Sequence, residues 1–342
     1  MGYDTMETPL VSFCMSTYKR PVFLKQQLEI ILKQSFQNFE IVICDNDPDC
    51  SAENIVKANG DTRLKYSPNI ENIGMIKSFN KSIELSKGEY IVMITDDDPV
   101  YPDMLETLLN LKNKYPGYGM YLGGCDWFCT HHEVGKLYGL KVGTNTCLSN
   151  NHDFNFIGVF ESAQFVDDLF TFKIFPHYLW STGMVKRDIL IERGGVPDYG
   201  TPFLGDYAYI SIMGSHSGCV IINKSLGCQT LHNENFGRNQ NEQLITAVRN
   251  FPEYLNSKMS YLNDWSVIKK HMENFVGIWV VSHLAFLHKY AQDGEESLLK
   301  AEKEIFSIDF MKKYRLKYFI KRKFPVLHNQ LVALKFKMKK LF

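Results

Sequence analysis

A run of apolar residues ends abruptly in three consecutive aspartates, in the segment Gly88-Glu89-Tyr90-Ile91-Val92-Met93-Ile94-Thr95-Asp96-Asp97-Asp98-Pro99. The pattern predicts a buried strand that carries acidic side chains to the edge of a sheet. In open α/β sheets, ligands bind beyond the carboxyl ends of the strands. Three neighbouring carboxylates repel one another unless a cation or the donor groups of a ligand relieve the repulsion. Their oxygens suit Mg²⁺ or Mn²⁺, which often bridge to phosphate. A local alternative is that Asp98, before Pro99, simply caps the next helix.

Strand-like and helix-like segments alternate through the first hundred residues, which is typical of βαβ units and a largely parallel sheet. Further strands are predicted at 10–15, 39–44, 64–66, 119–125 and 218–223. Helices are predicted at 23–33, 51–59, 73–86, 102–114 and 160–170, and throughout the chain from residue 241. The rest of the segment 126–175 is Gly- and Asn-rich and is expected to be irregular.

The charge of the chain is unevenly distributed. Of 342 residues, 45% are apolar and 22% charged, and 38 Lys and Arg balance 38 Asp and Glu. These values are those of an ordinary globular protein, and the length suggests about two domains. Residues 311–342, however, hold eleven Lys and Arg and no Asp or Glu. Basic charge confined to a tail, without an accompanying binding motif, argues against nucleic acid as a partner.

The cysteines and the apolar segments bear on the location of the protein. The eight cysteines include no Cys-x-x-Cys pair, which indicates reduced thiols and a cytoplasmic protein. Residues 1–9 lack the apolar core of a secretory signal. The most apolar later window, residues 275–287, is shorter than the roughly 20 residues that span a bilayer, so no transmembrane segment is expected.

Two other predicted strands end in polar residues that should lie at the same edge of the sheet. Asp45-Asn46-Asp47 follows the second strand, and Ser16-Thr17-Tyr18-Lys19-Arg20 follows the first. An Asp at such a position can accept a hydrogen bond from a nucleobase, although an Asx turn explains Asp45 equally well. The chain has no Gly-x-Gly-x-x-Gly after the first strand and no P-loop. Phosphate would therefore have to be bound through a metal, which again favours the three aspartates.

Two later residues are candidates for chemistry. Asp206 begins an apolar helical segment and is either a carboxylate base or a residue that caps or charges the helix N-terminus. His232 follows the last predicted strand and is either a metal ligand or a structural histidine.

The order and spacing of these segments resemble a family 2 glycosyltransferase of the GT-A fold, over roughly residues 9–237. The resemblance rests on Val11-Ser12-Phe13, Tyr18-Lys19-Arg20-Pro21, Glu40-Ile41-Val42-Ile43-Cys44-Asp45-Asn46, Asn72-Ile73-Gly74 with Asn80, and Gly88 to Asp98. It implies a mostly parallel, Rossmann-like sheet flanked by helices. We expect a nucleotide-sugar-binding and catalytic domain at 1–240 and a helical C-terminal region at 241–342.

Site residues follow from the resemblance position by position. Ser16, Tyr18 and Asp45 match the residues that hold uracil, and Asp96 matches the ribose contact. Asp97 matches the metal ligand of the Asp-x-Asp motif, with Asp98 and His232 as further metal candidates. Asp206 matches the catalytic base. The chain departs from the family pattern at Thr95, where many members have Asp, and at Gly205, where many have Glu.

The resemblance implies a metal-dependent, inverting enzyme with Mn²⁺ or Mg²⁺ and a UDP-sugar donor. It would transfer a hexosyl or N-acetylhexosaminyl group to a saccharide hydroxyl. The basic residues 311–342 favour a lipid-linked intermediate of bacterial surface polysaccharide synthesis as the acceptor. Two alternatives stay open at this point: transfer to a polyprenyl phosphate, and a non-catalytic membrane-associated nucleotide-binding module.

The basic tail 311–342 predicts two amphipathic pieces separated at Pro325. Basic residues near an anionic leaflet contribute about 1 kcal/mol each, so the tail is expected to hold the protein at the cytoplasmic face of the membrane. The alternative is a helical packing element with a solvated basic face, which could form a homo-oligomer.

Overall fold

The structure is a computed structural model. It describes residues 8–138, 140–143, 145–147, 156–174, 179–232, 241–290 and 295–324.

One mixed sheet forms the centre of the described chain. Its nine strands are β1 (Val11–Thr17), β2 (Phe39–Asp45), β3 (Leu64–Pro68), β4 (Tyr90–Ile94), β5 (Met120–Cys129), β6 (Asn145–Cys147), β7 (Ile157–Phe160), β8 (Gly183–Lys186) and β9 (Cys219–Leu231). The strand order is β3-β2-β1-β4-β8-β5-β9-β7, with β6 paired to β5. β1 is parallel to β2 and to β4, and β5 is parallel to β9. The prediction of a largely parallel central sheet is confirmed.

Helices cover both faces of the sheet and continue to the end of the described chain. They are α1 (Pro21–Ile31), α2 (Glu53–Asn59), α3 (Met75–Leu85), α4 (Met104–Lys114), α5 (His132–Tyr138), α6 (Ser162–Phe170), α7 (Arg187–Glu192), α8 (Gly205–Ser217), α9 (Asn241–Met259), α10 (Trp265–Tyr290), α11 (Glu295–Ile305) and α12 (Arg315–Lys323). Two 3-10 turns lie at Trp180–Thr182 and Asp309–Tyr314. Among the described helices, none is both long and apolar enough to cross a membrane.

The two faces of the sheet bury two separate hydrophobic cores, as the two-residue period of a strand requires. Along β4, Val92 and Ile94 pack on the core formed with α1 and α4. Ile91 and Met93 pack on the opposite core, formed with α3, α6 and α8. Because β4 is buried on both faces, its sequence is continuously apolar and does not alternate between apolar and polar residues.

The helices after residue 240 share the second core. Phe275 of α10 contacts Tyr207 of α8 and Phe170 of α6, with ring centroids 4.7 and 5.4 Å apart. α12 packs on α10 and α11 through the buried Tyr318. Its ring centroid lies 6.3 Å from that of His288 in α10, and its hydroxyl donates a hydrogen bond to Glu302 in α11. The first half of the basic tail is thus a packed helix, and its second half lies outside the described residues. The predicted domain boundary at 240 stays a prediction.

Two expectations about local structure were wrong. α4 begins at Met104, with Asp103 at its N-cap, so Asp98 does not cap it. The segment after residue 126 is more regular than expected, because β5 extends to Cys129 and β7 pairs with β9. β7 owes its extended form to a partner about 60 residues away, and a four-residue strand carries too little periodicity to be seen in the sequence.

Candidate active site

The strand order places the ends of β1 and β4 side by side. Met15 pairs with Ile94 in parallel register, so the residues that follow both strands lie at one edge of the sheet. Asp96 is buried there and uses both carboxylate oxygens. Thr17 donates to Oδ2 at 2.8 Å, and Arg20 Nη1 donates to Oδ1 at 3.0 Å. Burial and the charge of Asp97 nevertheless raise the pKa of Asp96 above its usual value.

Asp97 lies between two basic side chains. Its Oδ2 accepts from Arg20 Nη1 at 2.8 Å and lies 3.1 Å from His232 Nε2. Burial opposes ionisation, but the hydrogen bond from His232 and the charge of Arg20 outweigh it and lower the pKa of Asp97. Of the three aspartates, Asp97 is therefore the one whose ionised form its surroundings favour. It also lies beside His232, as a shared ligand role would require.

Asp98 has a different environment. Its Oδ1 accepts a hydrogen bond from the backbone N–H of Thr230 in β9, at 2.9 Å. Burial and the charge of Asp97 raise the pKa of Asp98 well above its usual value. The Asp98 side chain thus links the turn that holds the three aspartates to β9. The role of Asp98 as a metal ligand stays a prediction.

Gln27 fixes the backbone on which the three aspartates stand. It lies on the buried face of α1 with Leu24, Leu28 and Ile31. Its Nε2 donates to the carbonyl oxygens of Thr95 at 3.1 Å and Asp98 at 2.8 Å. These bonds satisfy two carbonyl groups of a turn that has no strand partner of its own.

The residues predicted to bind a nucleobase lie at the same edge. Asp45 is fully buried and accepts from Asp47 N at 3.0 Å, Ala52 N at 2.9 Å and Tyr66 Oη at 2.9 Å. The bond from Asp47 is an Asx turn, so the structural alternative for Asp45 has direct support. Ser16 donates to Ser78 Oγ at 2.8 Å. Tyr18 is 43% exposed, so part of its ring is accessible for stacking, and Lys19 Nζ lies 5.5 Å from the ring centroid.

Asp206 lies in the first turn of α8, after a strained residue. Leu204 precedes the helix with φ +63°, a left-handed conformation that costs an L-residue about 1–2 kcal/mol. The backbone N–H of Trp180 is 3.5 Å from Asp206 Oδ1. Burial raises the pKa of Asp206 to about 6, although the Trp180 N–H lowers it. A carboxylate with this pKa can both hold and release a proton near neutral pH.

Asp206 is close to the aspartate triplet. Its charge contributes to the raised pKa of Asp98. The backbone N–H of Trp180 points to Asp206. The Trp180 ring centroid lies 5.1 Å from that of Phe79 in α3 and 5.9 Å from that of Tyr209 in α8. The structure thus brings α8, the 3-10 turn and the end of β4 together.

The donor set fits a divalent cation only in part. No group of three or more His, Cys, Asp or Glu able to hold a metal occurs among the described residues. Asp97 and His232 supply two ligand atoms 3.1 Å apart. Mg²⁺ bound with a nucleotide commonly takes one or two protein carboxylates, completing its shell with phosphate oxygens and water. These residues therefore suit a cation that is bound together with a phosphate group.

Two features of the site were not predicted from the sequence: the ion pairs of Arg20 and the hydrogen bonds of Gln27. An amide on an otherwise apolar helix face, with Leu24, Leu28 and Ile31 beside it, was a signal for Gln27. Arg20 had no comparable signal, because the aspartates it contacts lie more than 70 residues further along the chain.

Residues 12–131 match the model of the family described as Glycosyl transferase family 2. Over this segment the chain is similar to family 2 glycosyltransferases. An uncharacterized glycosyltransferase of Methanocaldococcus jannaschii, MJ1057, is 36% identical over 105 residues, which cover 30% of this chain and 36% of the relative. The Campylobacter jejuni GalNAc(5)-diNAcBac-PP-undecaprenol beta-1,3-glucosyltransferase is 28% identical over 121 residues, covering 34% of this chain and 38% of that protein. The chain thus spans little more than a third of either relative.

Comparison with solved structures shows that the chain has the GT-A fold. Residues 1–349 of S. aureus TarS superpose with a TM-score of 0.56 at 13% identity, covering 90% of each chain. The mannosyltransferase PcManGT of Pyrobaculum calidifontis, solved with GDP-Man and Mn²⁺, gives a TM-score of 0.52 at 14% identity, covering 93% of this chain and 88% of that one. The expected GT-A fold with a C-terminal helical extension is confirmed.

The geometry predicts that Gln27→Leu destabilises the protein. Leucine is similar in size but leaves the carbonyl oxygens of Thr95 and Asp98 without their donor, which costs about 1–3 kcal/mol for each buried group. Urea denaturation followed by circular dichroism measures the free energy of unfolding. Gln26→Leu on the exposed face of α1 is the matched control and should change it by less than about 0.5 kcal/mol. Equal effects of the two variants would contradict the role of Gln27.

Proposed function

We propose that this family 2 protein is a metal-dependent inverting glycosyltransferase that moves a sugar from a UDP-sugar to a hydroxyl of a saccharide acceptor. The observation that carries the proposal is the meeting of two kinds of carboxylate at one sheet edge. Asp97 is ionised beside His232, and Asp206 has a pKa of about 6. The first suits binding of a charged donor, and the second suits proton transfer.

Donor binding is assigned to the polar ends of β1, β2 and β4. Tyr18 would stack on the base and Ser16 would bond it, while Asp96 would meet the ribose. Asp45 would bond the base only by exchanging one of its present donors, Asp47, Ala52 or Tyr66. TarS, which has the same fold, has been solved in complex with UDP, which supports a uridine nucleotide as donor. Asp97 and His232 would hold Mn²⁺ or Mg²⁺, with Asp98 as a further candidate ligand. Such a cation neutralises charge on a leaving diphosphate.

Proton transfer is assigned to Asp206. As the acceptor oxygen forms its bond to the anomeric carbon, the bond from that carbon to the diphosphate oxygen breaks, and the electron pair leaves with the nucleoside diphosphate. The acceptor proton passes to the Asp206 carboxylate. Attack opposite the leaving group inverts the anomeric configuration.

The acceptor is proposed to be a lipid-linked saccharide of surface polysaccharide synthesis. The name of the Campylobacter jejuni relative describes transfer to an undecaprenol-linked saccharide, which supports this class. The alternative reaction is transfer of the sugar directly to a polyprenyl phosphate. It is distinguished from the proposed reaction by its acceptors, because phosphate acceptors would react and free saccharides would not.

A donor panel tests the proposed reaction. Release of UDP from UDP-sugars is measured with and without Mn²⁺ and with saccharide acceptors. We expect metal-dependent release, and Asp97→Ala should weaken UDP binding in the presence of Mn²⁺ by at least about tenfold. Asp103→Ala, at the N-cap of α4, is the control and should bind UDP normally. Absence of UDP binding and of turnover with every donor would overturn the proposal.

The pKa of Asp206 predicts the pH dependence of turnover. Only the ionised carboxylate can accept a proton, so kcat should fall about tenfold per pH unit below about pH 6. Asp206→Asn should lower kcat by roughly 10²–10⁴-fold while UDP binding, measured by calorimetry, is retained. Asp198→Asn, at an exposed aspartate near α8, should leave both unchanged. An active Asp206→Asn enzyme would refute the assignment of the base.

We also propose that the protein associates with the cytoplasmic face of the membrane through α12. Tyr318 and Arg322 face the protein interior, where Arg322 lies 3.3 Å from Glu302. On the side of the helix that is exposed to solvent, Leu316 and Phe319 are 68% and 50% exposed. They stand among basic residues, including the exposed Arg315 and Lys323. Apolar side chains within a basic helix face suit the headgroup region of an anionic leaflet.

Vesicle co-sedimentation tests this surface. The protein should bind vesicles containing phosphatidylglycerol and not vesicles of phosphatidylcholine alone, with binding weakened by salt. Leu316→Ser/Phe319→Ser should reduce the bound fraction several-fold. Leu85→Ser/Ile191→Ser replaces two other exposed apolar residues and should not reduce it. Unchanged binding of the α12 variant would contradict the proposal.

A further inference from the structure

Arg20 already supplies a positive charge between the two aspartates proposed to contact the ribose and the metal. A single atom, Nη1, lies 3.0 Å from Asp96 Oδ1 and 2.8 Å from Asp97 Oδ2. The side chain is 27% exposed, and the carboxylates are 5% and 13% exposed. The pair interactions are thus partly shielded from solvent, and screening by salt is reduced.

The surroundings of Arg20 hold the guanidinium in this place. Arg20 occupies the N-cap position of α1, with Pro21 at the first helical position. Its Cζ lies 5.4 Å from the centroid of the Phe23 ring, and that ring lies 5.4 Å from the ring of His232. Arg20, Phe23 and His232 therefore form a continuous layer over the Asp97 carboxylate.

The proposed metal ligand is the same atom that Arg20 contacts. Asp97 Oδ2 accepts from Arg20 and lies within hydrogen-bond distance of His232. A carboxylate oxygen has about two acceptor sites, and Arg20 and His232 occupy both of them, so a cation that this oxygen coordinates must displace one of these two partners. A divalent cation at that position would also be repelled by the adjacent guanidinium.

We infer that Arg20 is an internal counter-cation that makes divalent metal binding depend on the nucleotide. Arg20 compensates the two carboxylates that it contacts, those of Asp96 and Asp97, and thereby weakens binding of free metal. A nucleoside diphosphate adds negative charge, which gives the guanidinium a second partner and frees Asp97 Oδ2 for coordination. Arg20 is thus a positioning residue for the donor. This inference rests on the proposed function, since it assumes that the site binds a nucleoside diphosphate.

Binding of Mn²⁺, followed by electron paramagnetic resonance of the free ion, tests the inference without measuring turnover. The wild-type protein should bind Mn²⁺ at least about tenfold more tightly with saturating UDP than without it. Arg20→Gln removes the charge and should bind Mn²⁺ alone about tenfold more tightly than wild type, while its affinity for UDP falls. Arg20→Lys keeps the charge and should resemble wild type for Mn²⁺ alone.

Arg63→Gln is the matched control. Arg63 pairs with Asp61 and packs on Phe39 near the N-terminal end of β3, at the opposite edge of the sheet. Its replacement should not change Mn²⁺ binding.

Three results would overturn the inference. They are equal Mn²⁺ affinity of wild type with and without UDP, a folded Arg20→Gln variant that binds Mn²⁺ no more tightly than wild type, and an Arg20→Lys variant that matches Arg20→Gln. The comparison of wild type with and without UDP needs no variant, so it stands even if Arg20→Gln does not fold. If the wild-type protein binds no UDP at all, the proposed function is wrong. If it binds UDP but UDP does not change its affinity for Mn²⁺, only the inference about Arg20 is wrong.

Discussion

Repulsion among three adjacent carboxylates is the constraint that organises this molecule. A strand buried on both faces cannot end in Asp96-Asp97-Asp98 unless each negative charge is compensated or suppressed. The partners of the three aspartates come from the ends of β1 and β9. Thr17 and Arg20 compensate Asp96 from the end of β1, His232 reaches Asp97 from the end of β9, and a β9 backbone N–H bonds Asp98. The relative positions of β1, β4 and β9 are therefore tied to the electrostatics of one short turn.

The same contacts give the three aspartate side chains different pKa values. The pKa of Asp97 is lowered, whereas those of Asp96 and Asp98 are raised. Identical residues in sequence thus become one stable carboxylate and two neighbours that ionise less readily. Asp206 adds a fourth carboxylate, on a different helix, whose burial gives it a pKa suited to proton exchange. A site with both kinds of carboxylate can bind a charged donor and accept a proton without one group serving both purposes.

Features that depend on a local sequence pattern could be predicted from the sequence alone. The apolar run before Asp96 predicted β4, and the alternation of segments predicted parallel neighbours whose ends meet at one edge. The sequence was insufficient where a contact depends on strand register. Gln27 reaches Thr95 and Asp98 only because β1 and β4 pair in parallel, which places the helix after β1 over the turn after β4. Asp45 shows a second limit. Its sequence context is the same whether its oxygens are free or already occupied, and only the structure reveals the donors from Asp47, Ala52 and Tyr66.

The shared core of α6, α8, α9 and α10 has a consequence for how this protein can be divided. α8 carries Asp206 at its first turn and buries most of its remaining residues. Part of that burial is against α9, and Tyr207 also packs on Phe275 of α10. Truncation near residue 240 would leave apolar surface of α8 facing water and remove a support of the helix that holds the candidate base. The C-terminal helices thus share one hydrophobic core with α6 and α8. Any chimera would have to transfer α6, α8 and these helices together.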